Sequence, residues 1–197
     1  MATARDVYNK AIALIDEISS ETGTVDVATT GDYESRAPFL IDLLQKEVAR
    51  IGKYKKVADI AVTATTADPS IAYATVTMPT DVDYIEKAVV LDPPNNYYRQ
   101  ATMVENKNVY VPTTFDGTIR LTYFAVPADI TTLEDALVVD HLSQVAMSYG
   151  LAKAFVLPEG NSEMTSYLTR EYDEKKALIS RIKPASFEQV FNAYGGF

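Results

Sequence analysis

The sequence predicts an α+β protein: a four-helix core, an antiparallel β domain inserted between the second and third helices, and a C-terminal extended or short-helical tail. Three observations predict it. Apolar residues recur at helical spacing in the first fifty or so residues and again from about Leu133 to Lys183. From Val57 to Val126 the period drops to two, and turn sequences separate the runs. After Lys183, Pro184 stops the helical pattern and leaves an aromatic end. The expected domains are a helical core from 1–56 and 127–183, a β domain at 57–126 and a tail at 184–197.

With 197 residues, 47% hydrophobic and 23% charged, the chain is long and apolar enough for one domain carrying an insertion. It has no Cys, which excludes disulfides, a thiol nucleophile and thiolate metal sites and fits a reducing compartment. The N-terminus mixes apolar and charged residues, unlike a signal peptide. No apolar run approaches the ~20 residues of a membrane helix. The expectation is a soluble protein made in the cytoplasm, with no membrane partner. Net charge is −9, and residues 59–131 hold 9 acids against 4 bases, which supplies −5 of it. Such a surface repels phosphates, so sequence-reading DNA binding is not expected. A channel through which DNA passes without sticking remains compatible.

The first helix is expected over about Ala4–Ser20. Thr3 and Asp6 have capping-box spacing, and Val7, Ala11, Leu14, Ile15 and Ile18 make its apolar stripe. Gly23 is a stop signal, and the small polar stretch Thr22–Thr30 reads as loop. The second helix spans roughly Asp32–Ile51, with a stripe of Leu40, Leu43, Leu44, Val48 and Ile51. Pro38 should kink it and Gly52 should end it. Arg50, Lys53, Lys55 and Lys56 follow; they complement the helix dipole or mark a surface for an acidic partner.

Ala58–Thr65 and Ile71–Met78 flank a turn at Ala67–Ser70 and read as a hairpin. Tyr84–Leu91 alternates around Ile85, Val89 and Leu91, and Asp92–Asn96 is a turn. Tyr97–Met103 and Asn108–Val111 read as short strands. Asp116–Gly117 then leads into Thr118–Val126, where Ile119, Leu121, Tyr123 and Ala125 alternate. Six of the 13 Tyr lie between 59 and 131, suiting cross-strand aromatic packing. Five or six strands of this kind make a small sheet or open barrel.

Asp140 is the expected cap of the third helix, with Thr132 and Asp135 an alternative start. Leu142, Val145, Ala146, Tyr149, Ala152 and Val156 should face inward. Ala146, Gly150 and Ala154 stack at four-residue spacing, a column that lets another helix approach closely. A turn at Pro158–Asn161 leads to the fourth helix, capped by Asn161 or Ser162. Its stripe is Met164, Tyr167, Leu168, Tyr172, Leu178, Ile179 and Ile182. Arg170, Glu171, Asp173, Glu174, Lys175 and Lys176 form a solvated face.

No catalytic residues, metal ligands or cofactor sites are expected. His141 is the only histidine, and a lone His near a helix start reads as a surface or capping residue. Asp81, Asp83 and Glu86 form the densest acidic cluster, without the spacing or glycine of a calcium loop. They read as a solvated strand entry, with a carboxylate-dependent hydrolase as the catalytic alternative. The tail offers more. Ser186 and Gln189 match a capping box, and Phe187, Val190, Phe191 and Tyr194 share one helical face before Gly195, Gly196 and terminal Phe197. The tail either folds back on its own domain or docks in a groove on another molecule.

Three motifs carry a resemblance: Tyr33-x-x-Arg36-Ala37-Pro38-x-Leu40, Phe115-Asp116-Gly117-Thr118, and Tyr123-Phe124-Ala125-Val126-Pro127. With the order helices, Tyr-rich strands, helices, the chain resembles the head-to-tail adaptor (connector) proteins of tailed double-stranded DNA bacteriophages over nearly its whole length. The resemblance implies a non-enzymatic virion protein of the head–tail neck, made in the host cytoplasm. It implies a homo-oligomeric, twelvefold ring that extends the DNA channel beneath the portal protein and offers a platform for tail or other neck proteins. Portal contacts would map onto the tail, at Phe187, Val190, Phe191, Tyr194 and Phe197. Other expectations are a different neck or tail-completion protein or, outside that class, a soluble binding module.

Overall fold

The computed structural model describes residues 2–22, 30–64, 73–92, 97–100, 103–105 and 107–182. The protein is α+β, with four α-helices and antiparallel sheet among these residues. The described residues divide into two compact units. One combines the residues up to Gly52 with those from Asp129 onward; the other spans Lys53–Ala128.

In the helical unit, α1 (Ala4–Thr22) starts where the capping box lies. The Asp6 carboxylate accepts from the Thr3 backbone N–H at 2.8 Å. The next free donors, the N–H groups of Ala4 and Arg5, donate to the carbonyls of Asp135 and Leu133 at 2.9 and 2.7 Å. The helix start is thereby tied to a distant segment of chain, which satisfies groups that a helix leaves open. Val7, Ala11 and Ile15 are fully buried, and Leu14 and Ile18 pack at their edge.

Helix α2 (Thr30–Ile51) contains Pro38 without interruption. Its buried face is Tyr33, Ala37, Ile41, Gln45 and Val48, at nearly constant four-residue steps. This corrects the expected leucine stripe: Leu40 and Leu44 are only partly buried, and Leu43 is exposed. The core uses a stacked aromatic instead, with the Tyr33 and Phe155 rings 4.5 Å apart and nearly parallel. Gly52 donates to the Val48 carbonyl, but the left-handed residue after the helix is Lys53, at φ 50°.

Residues 129–140 contain no long element, yet Ile130, Leu133 and Leu137 are buried in the helical core. Asp135 caps a turn, its carboxylate accepting from the N–H groups of Thr131 and Thr132, so Thr132 starts no helix. Helix α3 (His141–Val156) begins after Asp140, whose side chain accepts from the Ser143 N–H at 2.8 Å. Helix α3 packs against α1 and α2 and against α4 (Ser162–Ile182). It is consequently buried almost all round. Ala146, Ala152 and Val156 are buried as expected, whereas Leu142, Val145 and Tyr149 are only partly so. Met147, Leu151 and Phe155 supply a buried row that the expected stripe omits. A 3-10 turn at Leu157–Glu159 and left-handed Gly160 at φ 77° reverse the chain. The Asn161 side chain accepts from the Met164 N–H and caps α4. Met164, Leu168, Tyr172 and Ile179 are buried there, but Tyr167 and Leu178 face solvent.

The second unit holds β1 (Lys55–Val62), β2 (Ala74–Thr75), β3 (Val82–Asp92), β4 (Tyr97–Gln100), β5 (Met103–Glu105), β6 (Asn108–Val111) and β7 (Gly117–Ala125). They form a four-stranded sheet ordered β1-β7-β3-β4 and a three-stranded sheet ordered β2-β6-β5. The expected hairpin between the first two strands is therefore not a pair. Strand β1 pairs with β7, and β2 pairs with β6. A turn-rich linker permits a hairpin but does not choose the partner. Here the cross-strand pair Asp59 and Arg120, joined by two hydrogen bonds of 2.7 and 2.8 Å, matches β1 to β7.

In β7, Ile119, Leu121, Tyr123 and Ala125 are buried, in the expected alternation. Strand β3 departs from it. Its register slips between Ile85 and Lys87, so Ile85 faces Tyr123 while Ala88 faces Leu121 and Val90 faces Ile119. The extra residue, Glu86, flips the parity: Ala88 enters the core, Val89 is buried as expected but opposite Arg120, and Leu91 is half-buried opposite Thr118.

Candidate functional site

The small-residue column of α3 sits where three helices converge. Ala146 is fully buried, Gly150 is buried and Ala154 is half-buried. At Gly150 a side chain would crowd both neighbouring helices: a Cβ there would lie 2.8 Å from Cδ2 of Leu44 on α2 and 3.0 Å from Cε2 of Tyr172 on α4. The glycine costs helix propensity of about 1 kcal/mol against Ala, offset by this close approach.

Tyr172 is the pivot of the arrangement. Its ring lies on Gly150, and its hydroxyl donates to Glu47 of α2 at 2.7 Å. Lys176, one turn further along α4, donates to the same carboxylate at 3.1 Å and lies 4.4 Å from the Tyr172 ring centre. Lys153 of α3 approaches that ring at 5.9 Å. Burial, reinforced by the Glu47 carboxylate, pushes the Tyr172 hydroxyl far above its usual titration range. Lys176 is held above its usual value because its bonds to Glu47 and Asp173 outweigh its desolvation. This cluster binds α4 to α2 over the glycine. Its chemistry is positional: a neutral phenol, a paired ammonium and a satisfied carboxylate leave no base or nucleophile poised for reaction.

The acidic residues of the β unit are likewise engaged. Lys56 donates to Asp81 at 2.6 Å and the Tyr123 hydroxyl donates to the other Asp81 oxygen at 3.0 Å. Those two bonds overcome burial and hold the Asp81 carboxyl below its ordinary range. Glu86 pairs with Lys55, and Asp83 with Lys107. Thus Lys55 and Lys56 are strand residues with carboxylate partners inside their own unit, not members of a basic patch at a helix end. Among the described residues, no group of His, Asp and Glu is arranged to hold a metal ion. His141 is the exposed first residue of α3. No helix among the described residues is long and apolar enough to cross a membrane.

A groove of about 210 Å³ lies between Ile60–Thr63, at the end of β1, and the stretch 74–77, and is also lined by Val111 and Phe115. The residues joining its two walls, 65–72, lie outside the described part. The proposed docking residues Phe187, Val190, Phe191, Tyr194 and Phe197 also lie outside it.

Sequence reasoning anticipated the tight packing at Gly150 but not the Glu47–Tyr172–Lys176 cluster. Tyr172 reads as one more apolar residue of a stripe, and its partner is 125 residues away. Compared with known proteins, the chain matches no protein-family model, and no curated protein matches it in sequence.

Proposed function

We propose that this chain is a structural protein of a tailed-phage virion, an adaptor ring between portal and tail that extends the DNA channel. In this reading the β unit is an insertion in a helical core. The tail at 184–197 docks to the portal through Phe187, Val190, Phe191, Tyr194 and Phe197. The observation that carries the reading is the order of elements, two helices, antiparallel strands, two helices, with the three resemblance motifs at structurally demanding points. Tyr33 stacks on Phe155, and Ala37 is fully buried. The Phe115 ring closes on Gly117, where a Cβ would lie 3.1 Å from it. Tyr123 is buried against Asp81.

Two further features support a mechanical rather than a chemical part. The candidate catalytic carboxylates Asp81, Asp83 and Glu86 are each paired with a lysine. A net charge of −9 suits a conduit that DNA must traverse without adhering. A ring would also multiply weak tail contacts, because each bound subunit raises the effective concentration of the next. The test is co-expression with a portal protein from the same genome, followed by imaging. Rings stacked on the portal are expected. Absence of both rings and co-purification would count against the proposal.

A further inference from the structure

The helical unit exposes two apolar stripes on different helices. On α2, Phe39 and Leu43 are 66% and 51% exposed, one turn apart, and Arg36 lies in line with them. On α4, Tyr167 and Leu178 are 41% and 39% exposed, three turns apart, with Glu174 between them. The two stripes point different ways. Lys176 marks the flank of α4 that meets α2, through Glu47. At 3.6 residues per turn, Tyr167, Glu174 and Leu178 fall on the far flank.

Their charges are complementary. Arg36 and Glu174 are both exposed, and neither has an ion-pair partner among the described residues, whereas most charges around them are paired within the unit. One stripe thus offers a free cation beside its apolar pair and the other a free anion, with Arg181 beyond its far end. A surface that is not self-complementary but matches a different face of the same molecule makes a head-to-tail contact, which closes into a ring or runs on as a filament.

We propose that the α2 stripe of one copy packs against the α4 stripe of the next, with Arg36 facing Glu174 across the contact. This deepens the ring reading by naming its subunit contact, and in that respect rests on it. It is tested without portal, so the two can fail separately.

The experiment is sedimentation velocity on the full chain over a range of concentrations. Wild type is expected to assemble beyond a dimer. Leu43→Asp and Leu178→Asp should each be monomeric with unchanged circular dichroism, since both side chains already face solvent. Mixed one to one, these variants retain one good α2 face and one good α4 face and should form a dimer that grows no further. Arg36→Glu and Glu174→Arg should each weaken association by about tenfold, and their combination should recover most of the loss. Monomeric wild type, undiminished assembly of Leu43→Asp, or failure of the mixture to dimerise would each overturn the proposal. Portal capture by a chain that stays monomeric alone would sink this contact and leave the adaptor reading standing.

Discussion

Gly150 on α3 faces Leu44 on α2 so closely that a Cβ on the glycine would lie 2.8 Å from the leucine Cδ2. Leu44 can yield, because the clash is with the end of a flexible chain. The Tyr172 ring on the other side is held by its bond to Glu47 and cannot move as freely. Gly150→Ala should therefore lose more from overpacking, about 1–3 kcal/mol, than the ~1 kcal/mol it gains in helix propensity. A net loss on the order of 1 kcal/mol is expected in urea unfolding. Adding Leu44→Ala should cost less than the sum of the two single changes, as expected of residues in contact.

Tyr172→Phe should destabilise the protein by about 1.5–3 kcal/mol, the worth of a hydrogen bond to a charged acceptor. It should also change the alkaline limb. The Tyr172 hydroxyl titrates near 10.0 when unfolded and well above that when folded, so its contribution is complete below pH 10 and is lost as pH rises beyond it. Melting temperature measured from about pH 8 to about pH 11 should fall more steeply for wild type than for Tyr172→Phe. Equal slopes would remove the phenol from the account.

Asp81 gives the opposite sign. Its carboxyl is held below 3.8 in the fold, so its stabilisation is complete above that value and is lost as pH falls through the folded one. In acid denaturation, Asp81→Asn should start less stable than wild type, and the difference should shrink toward about pH 3. A difference independent of pH would show that Asp81 contributes by shape alone.

The pairing of β1 with β7 can be trapped. Ala61 and Thr118 are directly opposed, and the native chain has no Cys to interfere. The variant Ala61→Cys/Thr118→Cys should form an intramolecular disulfide under mild oxidation, visible as lost free thiol and faster migration on a non-reducing gel. A hairpin between β1 and β2 would leave both thiols free.

The contrast between these sites shows what was legible. The caps at Thr3–Asp6, Asp140 and Asn161 and the alternation of β7 are local rules, and the residues that obey them are adjacent in sequence. Helix α3 defeated the stripe rule because a helix packed on three sides has apolar residues all round, so Met147, Leu151 and Phe155 stand out from nothing. The buried face of α2 was hidden for the reverse reason: Tyr33, Ala37 and Gln45 are weakly apolar or polar, while exposed Leu43 looks like core. The Glu86 bulge and the partner of β1 depend on chain far away, where no period reaches. Of the candidate site, the close-packing glycine was readable, but its partners Leu44 and Tyr172 were not.

The adaptor proposal turns on the tail. The direct measurement is portal capture by the full chain and by a truncation lacking residues 185–197, alongside the melting temperature of both. The account predicts that truncation abolishes capture and leaves the melting temperature nearly unchanged. A truncated chain that still binds portal, or one whose melting temperature drops sharply because the tail belongs to its own core, would contradict it.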